Sequence, residues 1–118
     1  MRASLIPSAE QTFGKLSIKD KGPEFLRCSL KSVAELKILS LELADNLLTF
    51  EEARKIAKVL RGNAPLRLLN LCNNLLDERS AKVISNALLT NTNLLELNLS
   101  YNRIGDHGVA MIVLPLAK

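Results

Sequence analysis

The chain has 118 residues, a net charge of +4, 3% aromatic residues and no tryptophan. So mild a charge, with acidic residues mixed in and few rings on which bases could stack, argues against a nucleic-acid surface. The two cysteines, Cys28 and Cys72, give no disulfide framework, and no apolar run approaches a membrane span.

At the N-terminus, Met1-Arg2 is followed by Ala3-Ser4-Leu5-Ile6-Pro7, which lacks the apolar stretch of a secretory signal. Residues 1–12 match no repeat and are expected to form a loose arm. From Phe13 a phrase begins, Phe13-x-x-Leu16-x-Ile18-x-x-Lys21. Gly22-Pro23-Glu24 then opens a helix-like stretch, since proline is tolerated at a first helical position. Residues 13–37 are predicted to be a degenerate first repeat, irregular as a terminal cap should be.

The same phrase recurs three times with asparagine in place of Lys21. It reads Ile38-x-x-Leu41-x-Leu43-x-x-Asn46-x-Leu48, then Leu66-x-x-Leu69-x-Leu71-x-x-Asn74-x-Leu76, then Leu94-x-x-Leu97-x-Leu99-x-x-Asn102-x-Ile104. The three asparagines are 28 positions apart. A fixed period of this length points to a stacked solenoid rather than a single-core globule. Each Leu-x-Leu centre alternates like a very short strand. Strands repeated in one direction along one axis must pair in parallel, with a crossover between each pair. The turn after each strand leaves backbone groups without ladder partners, and an asparagine amide supplies both donors and an acceptor. Asn46, Asn74 and Asn102 are therefore expected to form a structural ladder.

The second half of each repeat has helical spacing. Ala53, Ile56 and Leu60 fall at i, i+3 and i+7, and Ala81, Ile84, Leu88 and Val109, Ile112, Leu116 repeat the pattern. Thr49 with Glu52 reads as a capping box, and Asp77 and Gly105 hold the place of Thr49. Asn63-Ala64-Pro65 and Asn91-Thr92-Asn93 break the helices before the next strands. The repeats run over 38–65, 66–93 and 94–118. A helix is wider than a strand, so the stack is expected to curve with parallel strands on the concave side and helices on the convex side.

The phrase Leu-x-x-Leu-x-Leu-x-x-Asn-x-Ile-Gly-Asp-x-Gly, from Leu94 to Gly108, resembles the ribonuclease-inhibitor-type leucine-rich repeat. The close matches cover about residues 38–118. The resemblance implies a short curved α/β solenoid over 13–118, of about three full repeats plus the degenerate first one. A solenoid presents surfaces, so protein partners are expected; with no phosphate loop, no serine-centred elbow and no paired carboxylates at helical spacing on an apolar face, neither enzymatic activity nor a cofactor is expected. With two unpaired-looking cysteines, no signal-like stretch and none of the Cys-rich caps that extracellular members of the family usually carry, an intracellular, cytoplasmic setting is expected, and the resemblance adds cytoskeletal or ciliary association among the family's branches. A scaffold module in a larger assembly is the leading functional expectation. A regulatory surface like that of the Ran GTPase activators is the alternative.

Two surfaces are candidates for contact. On the concave face, positions alternating with the buried leucines point outward: Glu42, Asn70, Glu96, Asn98 and Ser100, with Asn73 and Tyr101 at the rim. Tyrosine is a favoured interface anchor. The second candidate is the last helix, where Ala110, Met111, Val113, Leu114 and Leu116 replace the polar outer positions of its predecessors, such as Arg54, Lys58, Lys82 and Asn86. A helix apolar all round is normally buried, so another chain or further repeats are expected to cover this end. The cluster Arg54, Lys55, Lys58, Arg61 and Arg67 reads as a solvated helix face steadied by Glu51–Lys55. His107, alone between Asp106 and Gly108, is a poor basis for a metal site.

Overall fold

The computed structural model describes residues 10–12, 15–17, 30, 38–62 and 64–105. Strands β1 (Glu10–Thr12), β2 (Lys15–Ser17), β3 (Ser40–Glu42), β4 (Leu68–Asn70) and β5 (Glu96–Asn98) form one sheet in chain order. Helix α1 (Phe50–Arg61) crosses over from β3 to β4, and helix α2 (Glu78–Leu88) from β4 to β5. From β2 onward the sheet is parallel, and the register pairs Leu16 with Leu41, Leu41 with Leu69, and Leu69 with Leu97. The offset of the first pair, 25 residues, is that of the degenerate phrase. Pairing continues past each strand into the turn. Leu43 N–H donates to Asn70 O and Leu71 N–H to Asn98 O, both at 2.8 Å.

The core is the phrase itself. Ile38, Leu41, Leu43 and Leu48 in one layer, and Leu66, Leu69, Leu71 and Leu76 in the next, are buried. Ala53, Ile56, Ala57 and Leu60 of α1, with Ala81, Ile84, Ala87 and Leu88 of α2, close over them from the helix side. Each strand is too short to be stable alone; stacking buries leucines from successive layers against one another.

Both helices start on a reaching side chain. Glu52 Oε1 accepts from the N–H of Thr49 at 2.7 Å and from its hydroxyl at 2.8 Å. Asp77 Oδ1 accepts from the N–H of Ser80 at 3.0 Å, and Asp77 N–H donates to Ser80 Oγ. These contacts satisfy N–H groups that the helix leaves without partners.

One expectation changes. Residues 10–12, at the end of the expected arm, form strand β1, which runs antiparallel to β2. Backbone pairing makes this strand, so no apolar alternation announces it. The described residues hold two helices, α1 and α2. Two strand–helix units and the strand and turn of another are described, while residues 106–118 lie outside.

Candidate functional site at the strand face

The turn after each strand is built the same way. Asp45, Asn73 and Tyr101, spaced 28 apart, have φ of 61°, 55° and 58°. Aspartate and asparagine tolerate this left-handed backbone through local hydrogen bonding, and tyrosine has no such device. The residue after each is the repeated asparagine. Asn74 Oδ1 accepts from the N–H of Asn46 at 2.9 Å and of Leu48 at 3.1 Å. Its Nδ2 donates to Leu43 O at 3.1 Å, Leu71 O at 2.9 Å and Cys72 O at 3.2 Å. Asn102 acts one layer on. Its Oδ1 accepts from Leu76 N–H at 3.0 Å, and its Nδ2 donates to Leu71 O at 2.9 Å and Leu99 O at 3.0 Å. Asn46 Nδ2 donates to Leu43 O and Ala44 O, both at 3.0 Å.

The open side of the sheet carries a depression of about 250 Å³ lined by Glu42, Leu68, Asn70, Glu96 and Asn98, with Leu69 and Leu97 at its base. Four of the residues singled out from the sequence thus meet in one place. Asn73, Ser100 and Tyr101 lie beyond the strand ends, in the turns. Asn73 N–H donates to Ser100 O at 2.8 Å, and Asn73 Nδ2 donates to Asp45 Oδ1. Tyr101 is 81% exposed.

The carboxamides of this face are half committed. Asn70 Oδ1 accepts from Cys72 N–H and Asn98 Oδ1 from Ser100 N–H, each at 2.9 Å. Their NH2 groups have no partner among the described residues. The depression therefore offers amide donors beside the Glu42 and Glu96 carboxylates. Such a surface can hydrogen-bond both the N–H and the C=O groups of a partner chain. Among the described residues no three His, Cys, Asp or Glu side chains stand together as a metal site. No described helix is long and apolar enough to cross a membrane.

One ion pair differs from the sequence expectation. Glu51 pairs with Arg54 at 3.3 Å rather than with Lys55. Ala110, Met111, Val113, Leu114, Leu116 and His107 lie outside the described residues. Sequence reasoning treated Asn91 as a helix breaker only. Fully buried, it donates from Nδ2 to Leu60 O at 3.0 Å and accepts at Oδ1 from Asn93 N–H at 2.9 Å and Leu94 N–H at 2.8 Å. It holds the last turn of α1 from the following layer. No sequence pattern singles out Arg79, whose guanidinium stacks 4.5 Å from the Phe50 ring centroid and pairs with Asp77 at 3.1 Å.

Residues 90–113 match the model of a family described as Leucine Rich repeat. The same leucine positions recur in register through β3, β4 and β5, which supports a leucine-rich-repeat family for the chain. Among solved structures, this chain is similar to actin-binding site 2 of leiomodin-1. The TM-score is 0.73 at 20% identity, over 97% of this chain and 67% of that one. It is also similar to the C-terminal domain of a Caenorhabditis elegans tropomodulin, with a TM-score of 0.55 at 15% identity over 98% and 89% of the two chains. At these identities the likeness is one of fold. No curated protein sequence matches significantly.

Proposed function

We propose that this chain is a non-enzymatic protein-interaction module that docks a partner on its strand face. Tyr101 carries the reading. It occupies a left-handed turn that its counterparts fill with Asp45 and Asn73, and it exposes 81% of its surface. Local folding gives no reason for tyrosine there. An exposed aromatic ring held at a backbone cost suits an interface anchor. Beside it, the amides of Asn70 and Asn98 and the carboxylates of Glu42 and Glu96 supply the polar part of the contact.

On this reading residues 13–118 form one short curved solenoid of ribonuclease-inhibitor-type repeats after an arm at 1–12, with strands concave and helices convex. It serves as a scaffold unit of a larger intracellular assembly. Ala110, Met111, Val113, Leu114 and Leu116 meet a further chain or further repeats. The fold shared with a leiomodin-1 actin-binding site makes actin the first partner to try, in a cytoskeletal setting. Cosedimentation of the purified chain with actin filaments tests it. Saturable binding that falls on substitution of Asn98 or Tyr101 supports the reading, and binding indifferent to both substitutions removes the strand face from it.

A further inference from the structure

The opposite side of the molecule carries a second surface. Glu51, Arg54, Lys55, Lys58 and Arg61 recur along α1 as one outward stripe, opposite the buried Ala53, Ile56, Ala57 and Leu60. With Val83 of α2 they line a depression of about 390 Å³ on the helix face. Glu51 neutralises Arg54 at 3.3 Å. Lys55, Lys58 and Arg61 have no carboxylate partner among the described residues. Lys58 and Arg61 sit in the last turn of α1. A helix C-terminus carries only about half a negative charge, less than one of these cations neutralises.

We infer that this groove docks an acidic segment of a partner protein, with aspartate and glutamate against Lys55, Lys58 and Arg61 and an apolar side chain over Val83. Charge complementarity selects the sign, and the remaining features select the class. A membrane surface calls for protruding apolar groups beside the cations. Among the described residues the exposed large apolar ones, Leu39, Leu47, Leu89, Leu95 and Tyr101, all lie outside the groove. A single nucleic-acid strand calls for open aromatic faces. The one ring at the start of α1, Phe50, already has Arg79 at 4.5 Å and Arg54 at 6.0 Å. A half-buried valine flanked by cations suits a peptide that carries both carboxylates and an apolar residue. This surface is separate from the strand face, so either can fail without the other.

The test is fluorescence anisotropy of a labelled Glu-rich peptide with a central leucine, titrated with the full chain. The comparison is between the wild-type chain, the groove variant Lys55→Gln/Lys58→Gln/Arg61→Gln, and a charge-matched control, Arg67→Gln/Lys82→Gln/Arg103→Gln. Circular dichroism checks folding, and single Lys55→Gln and Lys58→Gln variants replace the triple one if it unfolds. The expected result is salt-dependent binding that weakens roughly tenfold in the groove variant and little in the control, because exposed charge pairs are individually weak but add. Equal losses in both variants, no binding by the wild-type chain, or tighter binding to phosphatidylserine vesicles or single-stranded DNA than to the peptide would overturn the assignment.

Discussion

Asn74 reaches back one full layer to Asn46, its Oδ1 accepting the Asn46 N–H at 2.9 Å while its Nδ2 holds Leu43 O of the same turn at 3.1 Å. One side chain thus fastens the turn of one repeat to that of the next. Removing it strands buried donors and acceptors on both sides. Asn74→Ala is expected to cost roughly 1–3 kcal/mol, toward the upper end because several groups lose a partner at once. A urea midpoint unchanged from wild type would show that water serves these groups equally well.

Asn91 should matter nearly as much. Its amide ties Leu60 O at the end of α1 to the N–H groups of Asn93 and Leu94, and it has no exposed surface. Asn91→Ala is expected to destabilise by about 1–3 kcal/mol, with early amide exchange in the last turn of α1. Lys82→Ala, at an exposed position of α2, should change the midpoint little. Similar midpoints for the two variants would refute the role given to Asn91.

Asp77 gives a pH dependence. Partial burial pushes its pKa up, but the N–H and hydroxyl of Ser80 and the guanidinium of Arg79 outweigh this and hold it below the usual aspartate value. A lowered folded-state pKa means the carboxylate stabilises the fold above the unfolded value, about 3.9, and that this contribution is lost as pH falls through the folded value. The stability difference between wild type and Asp77→Asn should therefore be flat from pH 5 to 8 and change only below about pH 4. Thermal melts across that range decide it; a change centred near neutral pH would contradict the assignment.

How far the sequence discloses this arrangement depends on whether a feature is periodic. The leucine phrase is legible because each layer must present the same apolar positions to the next, and the pairing of Leu41, Leu69 and Leu97 follows it. The 28-residue spacing of Asn46, Asn74 and Asn102 is equally visible, though not which backbone atoms each amide serves. Asn91 is opaque because its partner, Leu60, lies 31 residues earlier and meets it only through the path of two loops. Strand β1 is opaque because backbone groups alone define an edge pairing. The left-handed conformation of Tyr101 is hidden by its residue type; only the turn formers Asp45 and Asn73 at the same phase hint at it.

The C-terminal residues lead to a separate expectation. Leaving several of Met111, Val113, Leu114 and Leu116 in water would forfeit about 1.5–3 kcal/mol each, so the isolated chain should self-associate. Leu114→Glu should lower that tendency. Sedimentation velocity at rising concentration checks it, and a monodisperse monomer for the unaltered chain would end the proposal.

The most direct test of the strand face is to place a photo-crosslinking amino acid at position 68, where Leu68 lines the depression, in cells that make the protein, with and without Tyr101→Asn. Asparagine tolerates the left-handed turn, as Asn73 does at φ 55°, so the variant should gain about 1 kcal/mol of stability while losing the anchor. The account predicts a discrete protein adduct with Tyr101 in place and at least a roughly tenfold loss of adduct in the more stable variant. Equal adduct yields from both chains, or no adduct from either, would contradict it.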